Sequence, residues 1–408
     1  MSDLELSRLL LSIVLLLSFS LGAGHVFSLL RLPRVIGEIC AGLVLGPSFL
    51  GLLMPEVHQW IFRGFAEQEK TLSVFYWFGL ILLMFTAGFK ISTGLGRSER
   101  MLIAGLVLGG MGLPFAAGFL SSSVIPNGAT PVPLVFSLVM AVASAVTSIP
   151  VITRIFIDME MLSARFAQVT LAAAAIQDLI LWVVLSAALA IHNGDSISTQ
   201  GIGPIFLGTV LFTIFCIAIV PALLQLAGRL VVRQSPEGSL LGCTLLVCLL
   251  LVSLASALKV NIVFGALLAG LVIGRLPVAR LEHVKQTISN VAIWFFVPIY
   301  FALVGLQINL PANFDFNLVA GFLLASSLVK VLSVVLFARG ARVAWARALD
   351  FGVIMNARGG PGIVLASLAY TAKVIDEPLF VTLVMASILT SVVAGAWIRY
   401  RRPALLET

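Results

Sequence analysis

One pattern limits this chain more than any other. Apolar runs long enough to cross a bilayer follow one another from near its first residue to near its last. A hydrocarbon core about 30 Å thick needs ~20 helical residues per crossing. Backbone polar groups in lipid must bond to one another, so runs of this length predict α-helices. Breaks rich in charge, proline or glycine divide the runs into about thirteen spans. Their approximate limits are 8–30, 35–53, 72–90, 101–121, 133–157, 165–191, 203–228, 239–257, 261–275, 286–308, 317–338, 349–372 and 377–399. The expected fold is an all-α polytopic membrane protein.

The composition agrees: 60% of the 408 residues are hydrophobic and 11% charged. No soluble core of this size needs so much apolar sequence. The first run, Leu9 to Leu30, is longer than a signal-peptide core and lacks a basic leader, so it reads as a retained helix. A net charge of +7 invites a nucleic-acid partner, but the basic residues sit in short loops between apolar runs, where topology explains them. Of 25 Lys and Arg residues, 18 (Arg31 through Arg402) fall on one side and five (Arg8, Arg63, Lys70, Lys259 and Lys373) on the other. The positive-inside rule then puts the amino terminus outside and the carboxyl terminus in the cytoplasm. Cys40, Cys216, Cys243 and Cys248 lie in apolar segments without metal-ligand spacing and read as small core residues.

The two remaining cations, Lys330 and Arg358, lie within spans, as does Asp178. Asp178 is 13 residues past Arg165, roughly 20 Å along a helix and so near the membrane midplane. An ionisable group at that depth is costly and marks a functional site. Lys330 lies at similar depth and is expected either to pair with Asp178 or to brace a helix break by donating to its carbonyls. Ser144 to Pro150 interrupts the fifth span, because proline removes a donor and clashes with the preceding turn. Asn356-Ala357-Arg358-Gly359-Gly360-Pro361-Gly362 interrupts the twelfth. The breaks are seven spans apart, so the two helices run in opposite directions. This is the pattern of inverted repeats with crossing discontinuous helices and a midplane ion site. Thr147, Ser148 and freed carbonyls offer the oxygens that hard monovalent cations prefer. Arg358 is expected to face its own carbonyls or an acid. Glu38, about a turn inside the second span, is expected to gate or brace.

With these pieces in place, the chain resembles the Kef-type monovalent cation/proton antiporters of the second cation/proton antiporter family. The resemblance covers all thirteen spans. It rests on Gly37-Glu38-Ile39-Cys40-Ala41-Gly42-Leu43-Val44-Leu45-Gly46-Pro47, the Thr147–Pro150 break, Gln177-Asp178, and the Asn356–Gly362 break. It implies a homodimer in a bacterial-type inner membrane, with no cofactor and with K⁺ or Na⁺ and H⁺ as cargo. It also implies a moving core (about 72–191 and 317–399), a dimerisation scaffold (about 8–53 and 203–308), and no soluble regulatory domain within 1–408. Asp178 would bind cation and proton in turn, beside Gln177 and the family's membrane lysine at Lys330. Electrogenic sodium/proton relatives carry two adjacent acids where this chain has Gln177-Asp178, which leaves stoichiometry and cation open. A sodium-coupled symporter of an organic anion and a cation channel are the alternatives. No repeated filter sequence supports the channel, and no catalytic His pair or second deep acid supports an enzyme.

Overall fold

The computed structural model describes residues 2–30, 32, 34–89, 97–125, 132–159, 161, 164–192, 202–224, 237–258, 260, 262–276 and 279–406. All regular structure among them is helical. In chain order the helices are α1 Asp3–Leu29, α2 Arg34–Leu45, α3 Leu50–Leu53, α4 Pro55–Phe62, α5 Gln68–Gly88, α6 Arg97–Ser121, α7 Pro133–Ala145, α8 Ile149–Asp158, α9 Arg165–His192 and α10 Ile202–Ile214. They continue with α11 Glu237–Ala257, α12 Ile262–Gly274, α13 Ala279–Val291, α14 Val297–Leu306, α15 Leu310–Asn313, α16 Phe316–Gly340, α17 Trp345–Met355, α18 Gly359–Thr371 and α19 Glu377–Leu406. A π turn, Phe215–Ile219, follows α10, and another, Ala292–Phe296, joins α13 to α14.

Ten described helical stretches are long and apolar enough to cross a membrane. With the short apolar α12 and the two interrupted pairs, α7–α8 and α17–α18, they account for the thirteen expected crossings. The end of the seventh expected span, 225–228, lies outside the described residues. The chain is an integral membrane protein, and the many leucines and phenylalanines exposed along its helices are what lipid would cover.

Local sequence sets the helix ends. A capping box starts α1: Ser2 N–H donates to Glu5 Oε2 (2.7 Å) and Glu5 N–H to Ser2 Oγ (3.3 Å). Asp315 caps α16 by accepting from the Asn317 and Leu318 amides at 2.8 and 3.1 Å.

The helices form two packing groups. In the first, α1, α2 and α14 pack together, α5 lies against α12 and α14, and α11 lies against α12. In the second, α6 packs on α7, α9 and α16, while α16–α17 and α18–α19 close the bundle. Bridging the two, α9 touches α10 and α12. The third span, expected with the moving core, belongs instead to the first group. Gly79 and Gly88 explain this: a Cβ at Gly79 would sit 2.6 Å from Phe296 O, and one at Gly88 would sit 2.6 Å from Leu271 N. Only glycine lets α5 approach those backbones so closely. Other glycines mark similar crossings. Gly42 abuts Ala302 of α14, Gly109 lies on Ser333 and Val334 of α16, and Gly270 abuts Phe85 of α5.

Candidate functional site

The two interrupted helices meet at their breaks. Between α7 and α8 the chain is non-helical from Val146 to Ser148, and Val146 is extended (φ −61°, ψ 140°). Pro150 falls in the first turn of α8, where its missing N–H leaves no helical bond unmade. The other break is Asn356–Arg358, after which Gly359 starts α18 with φ +40°. Backbone joins the breaks directly, as Ser148 N–H donates to Ala357 O at 2.7 Å. Gly359 sits against Ser148, and a Cβ there would come 2.6 Å from Ser148 Oγ.

Lys330 reaches this crossing from α16 and is fully buried. Its Nζ donates to Ala145 O (2.8 Å), Val146 O (2.6 Å) and Thr147 Oγ1 (2.8 Å). An ammonium has three donors, and all three are used. Two of the acceptors are carbonyls that the end of α7 leaves without intrahelical partners, where the helix dipole also favours a cation. Of the two readings drawn from sequence, the brace is the one observed. No ion pair to Asp178 occurs among the described residues.

Thr147 Oγ1 lies 2.9 Å from both Gln177 Oε1 and Met355 O, sharing its one proton between them. Gln177 Nε2 donates to Leu106 O at 2.9 Å, which ties α9 to α6. Its amide rests on Gly110, where any side chain would collide with it. Ser148 Oγ accepts the Val151 amide at 3.3 Å as the N-cap of α8. The hydroxyls of Thr147 and Ser148, expected as cation ligands, are thus engaged in holding the crossing.

Asp178, one residue beyond Gln177, is 2% exposed, and its Oδ1 has no hydrogen-bond partner among the described residues. It lines a small apolar cleft with Val146, Leu181, Trp182, Pro361 and Leu365. Pro361 lies in the first turn of α18, so the carboxylate borders the positive end of a half-helix.

Arg358 also lies at the crossing, 1% exposed. It faces neither its own carbonyls nor an acid. Its three side-chain nitrogens have no hydrogen-bond partner among the described residues, and the guanidinium carbon stands 5.3 Å from the Phe322 ring centre. Its backbone N–H donates to Thr390 Oγ1 (3.3 Å) on α19, a contact the sequence did not point to. Asn356 is buried with Oδ1 unbonded among the described residues.

A second, larger cavity of about 120 Å³ opens between the two groups. Arg34, Glu38, Thr86 and Phe301 line its first-group side, and Ile149, Thr153 and Gly360 its second-group side. Arg34 is stacked over Trp294 at 4.4 Å. Glu38 thus lines the space between the groups and not Asp178's cleft.

A family model described as sodium/hydrogen exchanger, transmembrane, matches residues 13–400. Cation/H(+) antiporter 18 of Arabidopsis thaliana is 26% identical over 95% of this chain and 48% of its own length. K(+)/H(+) antiporter 1 of Saccharomyces cerevisiae is 26% identical over 90% of this chain and 43% of its own length. The chain thus spans under half the length of these relatives. By contrast, Na(+)/H(+) antiporter NhaS4 of Synechocystis is 26% identical over 95% of both chains. The solved sodium proton antiporter MjNhaP1 of Methanocaldococcus jannaschii superposes with a TM-score of 0.68 over 99% of both chains at 16% identity, a likeness of fold. The crossed breaks, the deep carboxylate and the match along nearly the whole length agree: the chain belongs to the transmembrane sodium/hydrogen exchanger family.

Proposed function

We propose that this protein exchanges a monovalent cation for protons across a membrane, with Asp178 carrying each in turn. The observation that carries this reading is a buried carboxylate with a hydrogen-bond-free oxygen beside two crossed helix breaks. A proton neutralises that group in one state. A cation that sheds water for carboxylate and backbone oxygens neutralises it in the other. The two never share the site, so flux of one is tied to counterflux of the other. Thr147, Ser148, Gln177 and Lys330 hold the geometry around Asp178. Pro150, Asn356, Gly359, Gly360 and Pro361 keep the half-helices broken, and Arg358 supplies a fixed positive charge at the second break. The names of the relatives, cation/H⁺, K⁺/H⁺ and Na⁺/H⁺ antiporters, support the reaction class and span both cations.

In this reading the second packing group slides against the first in an elevator-like cycle, and Glu38 gates the space between them. The sequence motifs favour the Kef-type branch. A homodimer formed through the first group, with its amino terminus outside a bacterial-type inner membrane, completes the proposal.

The test is proton flux in proteoliposomes on adding NaCl or KCl with the membrane potential clamped. Cation-triggered flux is expected from wild type and only liposome background from Asp178→Asn. Full flux in a folded Asp178→Asn protein would overturn the assignment.

A further inference from the structure

Asp350 lies inside α17 at 1% exposure, and the ion site makes no direct use of it. An ionised carboxylate so buried is destabilising unless its oxygens are satisfied, and these are. Arg401 donates from Nε to Oδ1 (2.9 Å) and from its terminal nitrogen to Oδ2 (3.1 Å), a two-point guanidinium–carboxylate pair. Trp397 Nε1 donates to Oδ1 at 3.0 Å. Both donors are on α19, one turn apart near the end of the last spanning helix.

The same helix contacts the second break elsewhere. Thr390 of α19 accepts the Arg358 amide at 3.3 Å. Eleven residues separate Thr390 from Arg401, or ~16 Å of helix. Uninterrupted α19 therefore contacts the broken pair at two points. One contact is at the break, and the other is on the half-helix that leads into it. From Asp350 to Met355 is five residues, ~8 Å of continuous α17. Met355 O accepts from Thr147 Oγ1, and Ala357 O, just beyond, accepts from Ser148 N. A shift of α17 along its axis moves those acceptors, and with them the α7–α8 break that Lys330 holds next to Asp178.

We propose that Asp350, clasped by Arg401 and Trp397, is a positioning residue that sets cation affinity at the crossing through α17. The proposal rests on the antiport reading. It assigns the ion site a component ~8 Å of helix away that touches no ion.

The experiment uses the full chain. KM for Na⁺ and K⁺ and kcat are measured in proteoliposomes for wild type, Asp350→Asn and Trp397→Phe. Thermal unfolding midpoints are measured in detergent with and without each salt, because a bound cation raises the midpoint of the protein that holds it. Asp350→Asn is expected to raise cation KM about threefold to tenfold with kcat nearly unchanged. Trp397→Phe, which removes one hydrogen bond and keeps the ring, should raise it less. A lower midpoint with unchanged KM in the variants would make the clasp merely structural and overturn the proposal. If Asp350→Asn does not fold, unchanged KM in Trp397→Phe overturns it. If wild type gives no flux, the antiport reading fails, and the clasp is judged by the salt-induced midpoint shift. A smaller shift in the variants supports it, and an equal shift, or none in wild type, overturns it.

Discussion

Lys330 illustrates what a sequence conveys about a single residue. Its burial was legible, because an ammonium halfway along an apolar run has only the membrane interior to occupy. Its partner was not, because two acceptor sets were open to it and depth does not choose between them. The three-way bond to Ala145, Val146 and Thr147 prevails because it satisfies every ammonium donor and two otherwise orphaned carbonyls at once. Replacing Lys330 by Met keeps most of the volume but strands those carbonyls in a buried site. Each buried unsatisfied polar group costs about 1–3 kcal/mol. Lys330→Met should therefore lower the thermal unfolding midpoint in detergent even with no cation present. An unchanged midpoint would mean that the brace carries no stability. Arg358 repeats the lesson: its burial followed from sequence, whereas its place over Phe322 depends on how α16 and α18 lie together.

At the scale of the helix, both breaks could be read from proline and glycine chemistry, and the structure places them just ahead of those residues, at 146–148 and 356–358, with Pro150 in the first turn of α8 and Gly359, Gly360 and Pro361 in that of α18. The direct bond between them, from Ser148 N–H to Ala357 O, could not be read, since no local rule pairs residues 209 positions apart. Nor do the π turns at Phe215–Ile219 and Ala292–Phe296 have a signature in their apolar sequences. The contact between the breaks makes Gly359 stringent. A side chain there must adopt φ +40°, costing about 1–2 kcal/mol, and must also overlap Ser148. Gly359→Ala should thus depress both the unfolding midpoint and cation-driven flux. Gly112 in α6 has nothing within 4 Å of where a Cβ would stand. The same substitution there should leave flux intact and leave stability equal or slightly raised. Equal behaviour of the two variants would contradict the steric account of the crossing.

For the molecule as a whole, the number of spans was legible in the sequence, but the grouping of helices was only partly readable. The resemblance put segment 72–90 with the moving core. In the structure, glycines on α5 select α12 and α14 as its neighbours. That regrouping puts Thr86 of α5 across the cavity from Thr153 of α8, one residue from each packing group. If transport needs the groups to slide past each other, joining these walls must stop it. In a background with Cys40, Cys216, Cys243 and Cys248 replaced by Ser or Ala, Thr86→Cys with Thr153→Cys, bridged by a cleavable bifunctional thiol reagent, should lose cation-triggered proton flux. Flux should return when the linker is cut, and either single cysteine treated alike should keep most of its flux. If bridged protein exchanges ions at the unbridged rate, relative movement of the two groups is not part of the cycle, and the ion must reach Asp178 through a scaffold that stays still.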